Sequence, residues 1–270
     1  METGCRRAIL FLLFSPLFGT GFAQTETPVK VDKPLKSYSH WYFGAEYGVP
    51  FLFGDFTSFS ADKTYVGSQF GGFAGYQVNS WIGIEASART GYTRMGAKSY
   101  AGDYLMNADG MTYYTNQDFN TWKYKDVFSK VHFTNIGLQM NLNVNNFFGP
   151  NRGNRRWTVL LSPAVYAQHF STELINKADK SPLSGKKTDK WNIGIGGDVS
   201  LRYKISRAFD VQLRTGIIWV NNNKMDGIST LIKSKDHFMT SAGLSLIWKV
   251  GKKKEDNVLY ASRRAAAVEI

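Results

Sequence analysis

The sequence predicts an all-β fold: an eight-stranded antiparallel up-and-down barrel that crosses a membrane. Three observations predict it. Long stretches alternate apolar and polar residues with period two, the signature of strands. These stretches run for about 11 to 15 residues, where strands of soluble proteins average about 5–6. Tryptophans sit at the ends of the apolar faces instead of their middles, as they do where strands meet lipid headgroups.

The strands follow in order. Trp41 to Val49 sets Trp41, Phe43, Ala45, Tyr47 and Val49 against Tyr42, Gly44, Glu46 and Gly48. Ser68 to Val78 is glycine-rich, with Phe70, Ala74, Tyr76 and Val78 on one side. Trp81 to Thr93 puts Ile82, Ile84, Ala86, Ala88, Thr90 and Tyr92 opposite Gly83, Glu85, Ser87, Arg89 and Gly91. Val131 to Val144 sets Ile136, Leu138, Met140, Leu142 and Val144 against Asn135, Gly137, Gln139, Asn141 and Asn143. Trp157 to Phe170 carries Trp157, Val159, Leu161, Val165 and Ala167, with Pro163 counting against a regular ladder. Trp191 to Ile205, Phe209 to Val220 and His237 to Lys249 complete the set. Tight connections at Asn79-Ser80 and Ser206 to Ala208, with a moderate one at 145–156, alternate with long ones at 52–67, 94–130, 171–190 and 221–236. Short turns at one end and long loops at the other are typical of outer-membrane barrels, the short turns facing the periplasm. Twelve residues at ~3.3 Å rise and ~45° tilt cross about 28 Å, the thickness of a hydrocarbon layer.

The ends read differently. Arg6 and Arg7 precede a short apolar run, Ala8 to Phe22, and Gly21-Phe22-Ala23 supplies small residues for cleavage after Ala23. Residues 1–23 are therefore expected to be a secretory signal, 24–38 a periplasmic segment, 39–250 the barrel and 251–270 a basic periplasmic tail. The tail's composition favours disorder. The only cysteine, Cys5, falls in the signal, which leaves no thiol chemistry. The net charge of +12 drops by one when the signal leaves. In an exported chain such charge points to lipopolysaccharide, anionic headgroups or cell-wall polymers, and not to nucleic acid.

The polar face carries both charge signs at interior positions: Glu46, Glu85, Arg89, Asp198, Arg202 and Arg214. An eight-stranded barrel has room for side chains and little else, and buried charges must pair. These six are expected to form an ion-pair network in a filled lumen. Trp41, Trp157 and Trp248 are expected in the girdle at the short-turn end, and Trp191 and Trp219 in the girdle at the long-loop end. Tyr100, Tyr104, Tyr113, Tyr114 and Trp122 make the longest loop aromatic; such a loop either recognises a surface partner or folds over its own barrel mouth.

The strand Trp41-Tyr42-Phe43-Gly44-Ala45-Glu46, the hairpin Gly72-Phe73-Ala74-Gly75-Tyr76 with Ile82-Gly83-Ile84-Glu85, and the segments Ile193-Gly194-Ile195-Gly196-Gly197 and Ala242-Gly243-Leu244-Ser245-Leu246 resemble the PorT-like outer-membrane barrels common in Bacteroidota, and more loosely the OmpA/OmpX type. The resemblance spans about residues 39–250. It implies a non-enzymatic barrel that is structural, adhesive or a subunit of an envelope or secretion assembly, with periplasmic or outer-membrane protein partners. A narrow solute channel is the alternative. The chain departs from that pattern by continuing for twenty residues past Val250.

An enzyme would need more than the sequence marks out. His169-Phe170-Ser171 resembles the His-x-Ser of lipid A deacylase barrels, but no acid is placed to orient the histidine. His132 and His237 lie at loop boundaries and are expected to be interfacial. No histidine or carboxylate cluster has metal-ligand spacing, and no cofactor motif is present.

Overall fold

The computed structural model describes residues 38–99, 104–105, 121–148, 155–183, 187–220, 225–228, 237–251 and 256–261. The expected signal, the segment that follows it as far as residue 37, and Tyr100, Tyr113 and Tyr114 lie outside these residues.

Tyr38–Ser39 (β1) precedes the barrel, which begins with Trp41–Phe53 (β2) and a two-residue strand, Phe56–Thr57 (β3). Ser68–Gln77 (β4), Ile82–Ala97 (β5), Val127–Asn143 (β6), Trp157–Asn176 (β7), Thr188–Lys204 (β8), Phe209–Val220 (β9) and His237–Lys249 (β10) complete its wall. A short helix, Val144–Phe148 (α1), follows β6, and Asp256–Asn257 (β11) follows the barrel. Each long strand pairs antiparallel with its neighbours, and β10 pairs with β2 from Phe238↔Phe53 to Lys249↔Tyr42. The eight long strands thus form a closed antiparallel barrel in which each strand has a partner on both sides, the arrangement that keeps strand backbone hydrogen-bonded in lipid.

Side chains follow the pleat. Ile84, Leu138, Leu161, Ile195, Leu213 and Leu244 point outward and stay exposed, Ile195 at 70%. An apolar band on this scale costs free energy in water at roughly 25 cal/mol per Å², and in lipid the cost vanishes. The five tryptophans at its edges, Trp41, Trp157, Trp191, Trp219 and Trp248, are all more than half exposed.

The strands run further than the sequence pattern shows. β5 continues to Ala97, β7 to Asn176, while β6 starts at Val127 and β8 at Thr188. Above the band the outward residues become Lys130, Glu173 and Asp189, so the apolar alternation fades although pairing persists through Lys130↔Glu173 and Ser171↔Asp189. Pro163 sits inside β7 facing Gly197 of β8. On its other side the β6–β7 ladder lapses between Gln139↔Ala164 and Leu142↔Leu161, then resumes in the same register. Proline has no N–H to give, and the sheet tolerates this as a local gap.

Glycines on the inner face make room for large inward side chains. A Cβ on Gly75 would overlap the Tyr42 ring, and one on Gly44 would overlap the Phe73 ring. A barrel this narrow packs each ring into the hollow a glycine leaves on the next strand.

The short-turn end is tied by side-chain caps. Asn79 Oδ1 accepts from the N–H groups of Trp81 and Ile82, and Ser206 Oγ accepts from those of Ala208 and Phe209.

Candidate functional site

The interior of the barrel has three layers. The middle layer is ionic. Alternation on β2, β5, β8 and β9 aims Glu46, Glu85, Arg89, Asp198, Arg202 and Arg214 inward, and all six are buried. Arg89 reaches Glu46 at 3.3 Å and Asp198 at 2.9 Å. Arg214 reaches Glu85 at 2.7 Å, Glu46 at 3.5 Å and Asp198 at 3.8 Å. Arg202 stands apart from these pairs: its Nε donates to Gln212 at 2.7 Å, and its guanidinium lies 4.9 Å from the Tyr42 ring centroid. Three cations thus face three anions, and no net charge is left buried.

Neutral groups complete the layer. Tyr42 donates its phenol proton to Glu85 at 3.0 Å, and Gln139 and Asn141 donate to the same carboxylate, each at 3.1 Å. Ser162 donates to Asn141 at 2.6 Å. The Arg214 guanidinium sits 4.7 Å from the Phe73 ring centroid. The Glu85 carboxylate thus gathers donors from Arg214, Tyr42, Gln139 and Asn141.

Toward the short turns lies a second ionic layer, and the chain's own C-terminal segment covers it. β11 pairs in parallel with β1 through Tyr38↔Asp256 and Ser39↔Asn257. Asn257 then caps a 3₁₀ turn, Val258–Tyr260, by accepting from the Leu259 N–H at 3.0 Å. Leu259 and Tyr260 pack against Leu160. Tyr260 donates to Asp210 at 2.8 Å, and the Lys204 and Lys249 ammonium groups lie 4.5 and 4.8 Å from its ring centroid. Lys249 pairs with Asp210, and Lys204 with Asp256. Burial, then Asp210, holds the Tyr260 phenol well above the usual tyrosine range. The composition of residues 251–270 suggests disorder, yet 256–261 is seated: its own apolar residues, Val258 to Ala261, find a surface in the barrel.

The third layer, toward the long loops, is apolar inside and polar outside. Leu52, Phe56, Met95, Val131, Phe133 and Phe170 fill it, joined by Met225 and Ile228 from the β9–β10 connection. Val131 and Phe133 share the face of Asn135 and Gln139, so the polarity of the inner face inverts along one strand. The inversion is visible in the sequence, but it reads there as the end of a strand.

One expectation changes at this end. His237 is fully buried inside the mouth and not interfacial, because it has the same parity as inward-facing Met239. Trp122 packs against the apolar layer, with its carbonyl accepting from the Leu105 N–H at 2.7 Å, while Tyr104 stays exposed.

Within the mouth, Asp226 accepts from the Phe56 N–H at 2.9 Å and from the Ile228 N–H at 3.3 Å. His237 Nε2 lies 3.5 Å from its carboxylate. Asp55 joins them, and one donor atom from each of the three lies within 4.8 Å of the others. Burial pushes the Asp226 carboxyl up to about 7. No spacing in the sequence signals this cluster, because its members are separated by 171 and 11 positions and meet only when the β9–β10 connection folds into the barrel.

His169 and Ser171 point outward on β7. His169 Nε2 contacts Asp189 of β8, an acid the sequence did not mark out, and the ring lies 5.0 Å from that of Trp191. Ser171 faces Asp189 in register and His132 across the other ladder. Among the described residues no hydrogen bond joins Ser171 to His169.

No protein-family model matches the chain, and the search of curated proteins finds no match. Solved structures do resemble it. Neisserial surface protein A is 11% identical, over 78% of this chain and 97% of that one, with a TM-score of 0.42. Ail, the attachment invasion locus protein of Yersinia pestis, is 10% identical over 79% and 100%, at 0.41. A major outer membrane protein from Thermus thermophilus is 11% identical over 78% and 99%, at 0.45.

Proposed function

We propose that this chain is a non-enzymatic outer-membrane barrel whose lumen is sealed by its own side chains, and that it works through its two rims. The observation that carries this reading is the buried ionic layer, in which Arg89 and Arg214 span from wall to wall onto Glu46, Glu85 and Asp198. A conducting pore needs water there, and these pairs take its place. Its role is structural or adhesive, or that of the membrane subunit of an envelope or secretion assembly of the PorT-like kind. The signal at 1–23 would deliver it. Lipopolysaccharide is the natural partner of the outer rim, where Lys130 and Lys187 lie either side of Glu173 and Lys190 precedes Trp191. Protein partners would meet the short-turn rim, through Arg155, Arg156 and the basic tail.

Planar-bilayer recording tests the seal. The purified full-length chain is expected to insert without open-pore steps; discrete steps would establish the narrow solute channel instead. Lipid A from cells expressing the Ser171→Ala variant is expected to match that from wild-type cells, and a wild-type-specific change in acylation would make the chain an enzyme. Extraction from native membranes in mild detergent is expected to retain a partner, and a barrel recovered alone would remove the subunit role.

A further inference from the structure

We propose that Asp55, Asp226 and His237 form a binding site for a divalent transition-metal ion of the zinc class inside the long-loop mouth. The three side chains come from three separate segments: the turn after β2, the β9–β10 connection and the first residue of β10. Their donor atoms converge within 4.8 Å. The 3.5 Å between His237 Nε2 and Asp226 Oδ2 is close to the edge of a tetrahedron with bonds of ~2.0–2.1 Å. Asp55, which is half-buried, completes that geometry by a rotamer adjustment.

The backbone at Gly54 closes over the same two donors. A Cβ there would lie 2.6 Å from both Cδ2 and Nε2 of His237 and 3.1 Å from Asp226 Oδ2. A methyl at that point would push the imidazole aside, so glycine lets His237 and Asp226 stay side by side. Asp226 and His237 are both fully buried. One imidazole with two carboxylates suits zinc and its neighbours, whereas calcium and magnesium take oxygen throughout.

The site is also tied to the loop above it. His237 Nδ1 accepts from the Met225 N–H at 3.3 Å, which leaves the ring proton on Nε2, facing the carboxylates. A metal takes that position, and the ring proton passes to Nδ1. The Met225 N–H must then turn away, so binding shifts the segment 225–228.

Cobalt alone, titrated into chelator-treated full-length protein in detergent, gives the readout. The expected result is one equivalent bound with a visible d–d absorption band, displaced by zinc and not by equimolar calcium. Gly54→Ala displaces the His237 ring without removing a donor, and Asp55→Asn removes the charge of a half-buried one. Each is expected to weaken binding by about 10- to 100-fold while the protein keeps its heat-modifiable gel mobility, the sign of a folded barrel. Absence of the band in wild type, a band unchanged in Gly54→Ala and Asp55→Asn, or displacement by calcium would overturn the assignment.

Discussion

The Arg214 guanidinium touches every carboxylate of the middle layer, which makes its removal the sharpest test of a dry lumen. Arg214→Gln leaves Glu46 and Asp198 on Arg89 and takes from Glu85 the arginine it pairs with, since Arg202 is directed to Gln212 and Tyr42. One buried anion loses its partner. Breaking a buried pair from one side costs about 3–5 kcal/mol, which is roughly a 150- to 5000-fold shift of the folding equilibrium at ~1.4 kcal/mol per factor of ten. The Glu85→Gln/Arg214→Gln double variant removes both charges of the 2.7 Å pair and restores balance. It is expected to recover part of the loss, with a coupling energy of about 1–3 kcal/mol. Urea unfolding in lipid vesicles, followed by tryptophan fluorescence and gel mobility, measures both. A single-variant cost below about 1 kcal/mol, the level of a solvated pair, would mean that water fills the layer, and the reasoning behind the sealed lumen would fail with it.

Further outcomes follow from the same structure. Leu138→Arg places a charge on the outward face of β6 within the apolar band and is expected to cost about 2–4 kcal/mol in vesicles, whereas Lys130→Leu above the band is expected to be tolerated. Gly75→Ala drives a methyl into the Tyr42 ring and should displace its phenol from Glu85, lowering the unfolding midpoint; an unchanged midpoint would mean that Tyr42 has another rotamer open to it. The C-terminal segment should unseat in alkali. Its phenol ionises at a higher pH when seated than when free, so the seated state is favoured below the ordinary tyrosine range and loses that advantage as pH rises beyond it. Limited proteolysis should cut near residues 256–261 far faster at pH 11 than at pH 8, and Tyr260→Phe should remove most of that contrast.

The barrel wall is written in the order of residues alone. Period-two alternation assigns a face to every residue of a strand, because successive side chains point to opposite sides. Hence the outward tryptophans and the inward Glu46, Arg89, Asp198 and Arg214 were all legible from parity, as was the closed eight-stranded form. Parity says nothing of height or partner. It could not show that Arg202 turns to Gln212 and Tyr42, or that the inner face becomes apolar above Phe133, because past the lipid band the outward residues lose their pattern while backbone pairing continues. Nor could it bring Asp55, Asp226 and His237 together, or seat Tyr260 on Asp210. Those meetings depend on segments folding into the two ends of the barrel, where contacts join residues far apart in the chain, and they come into being only once the folded wall holds those segments in place.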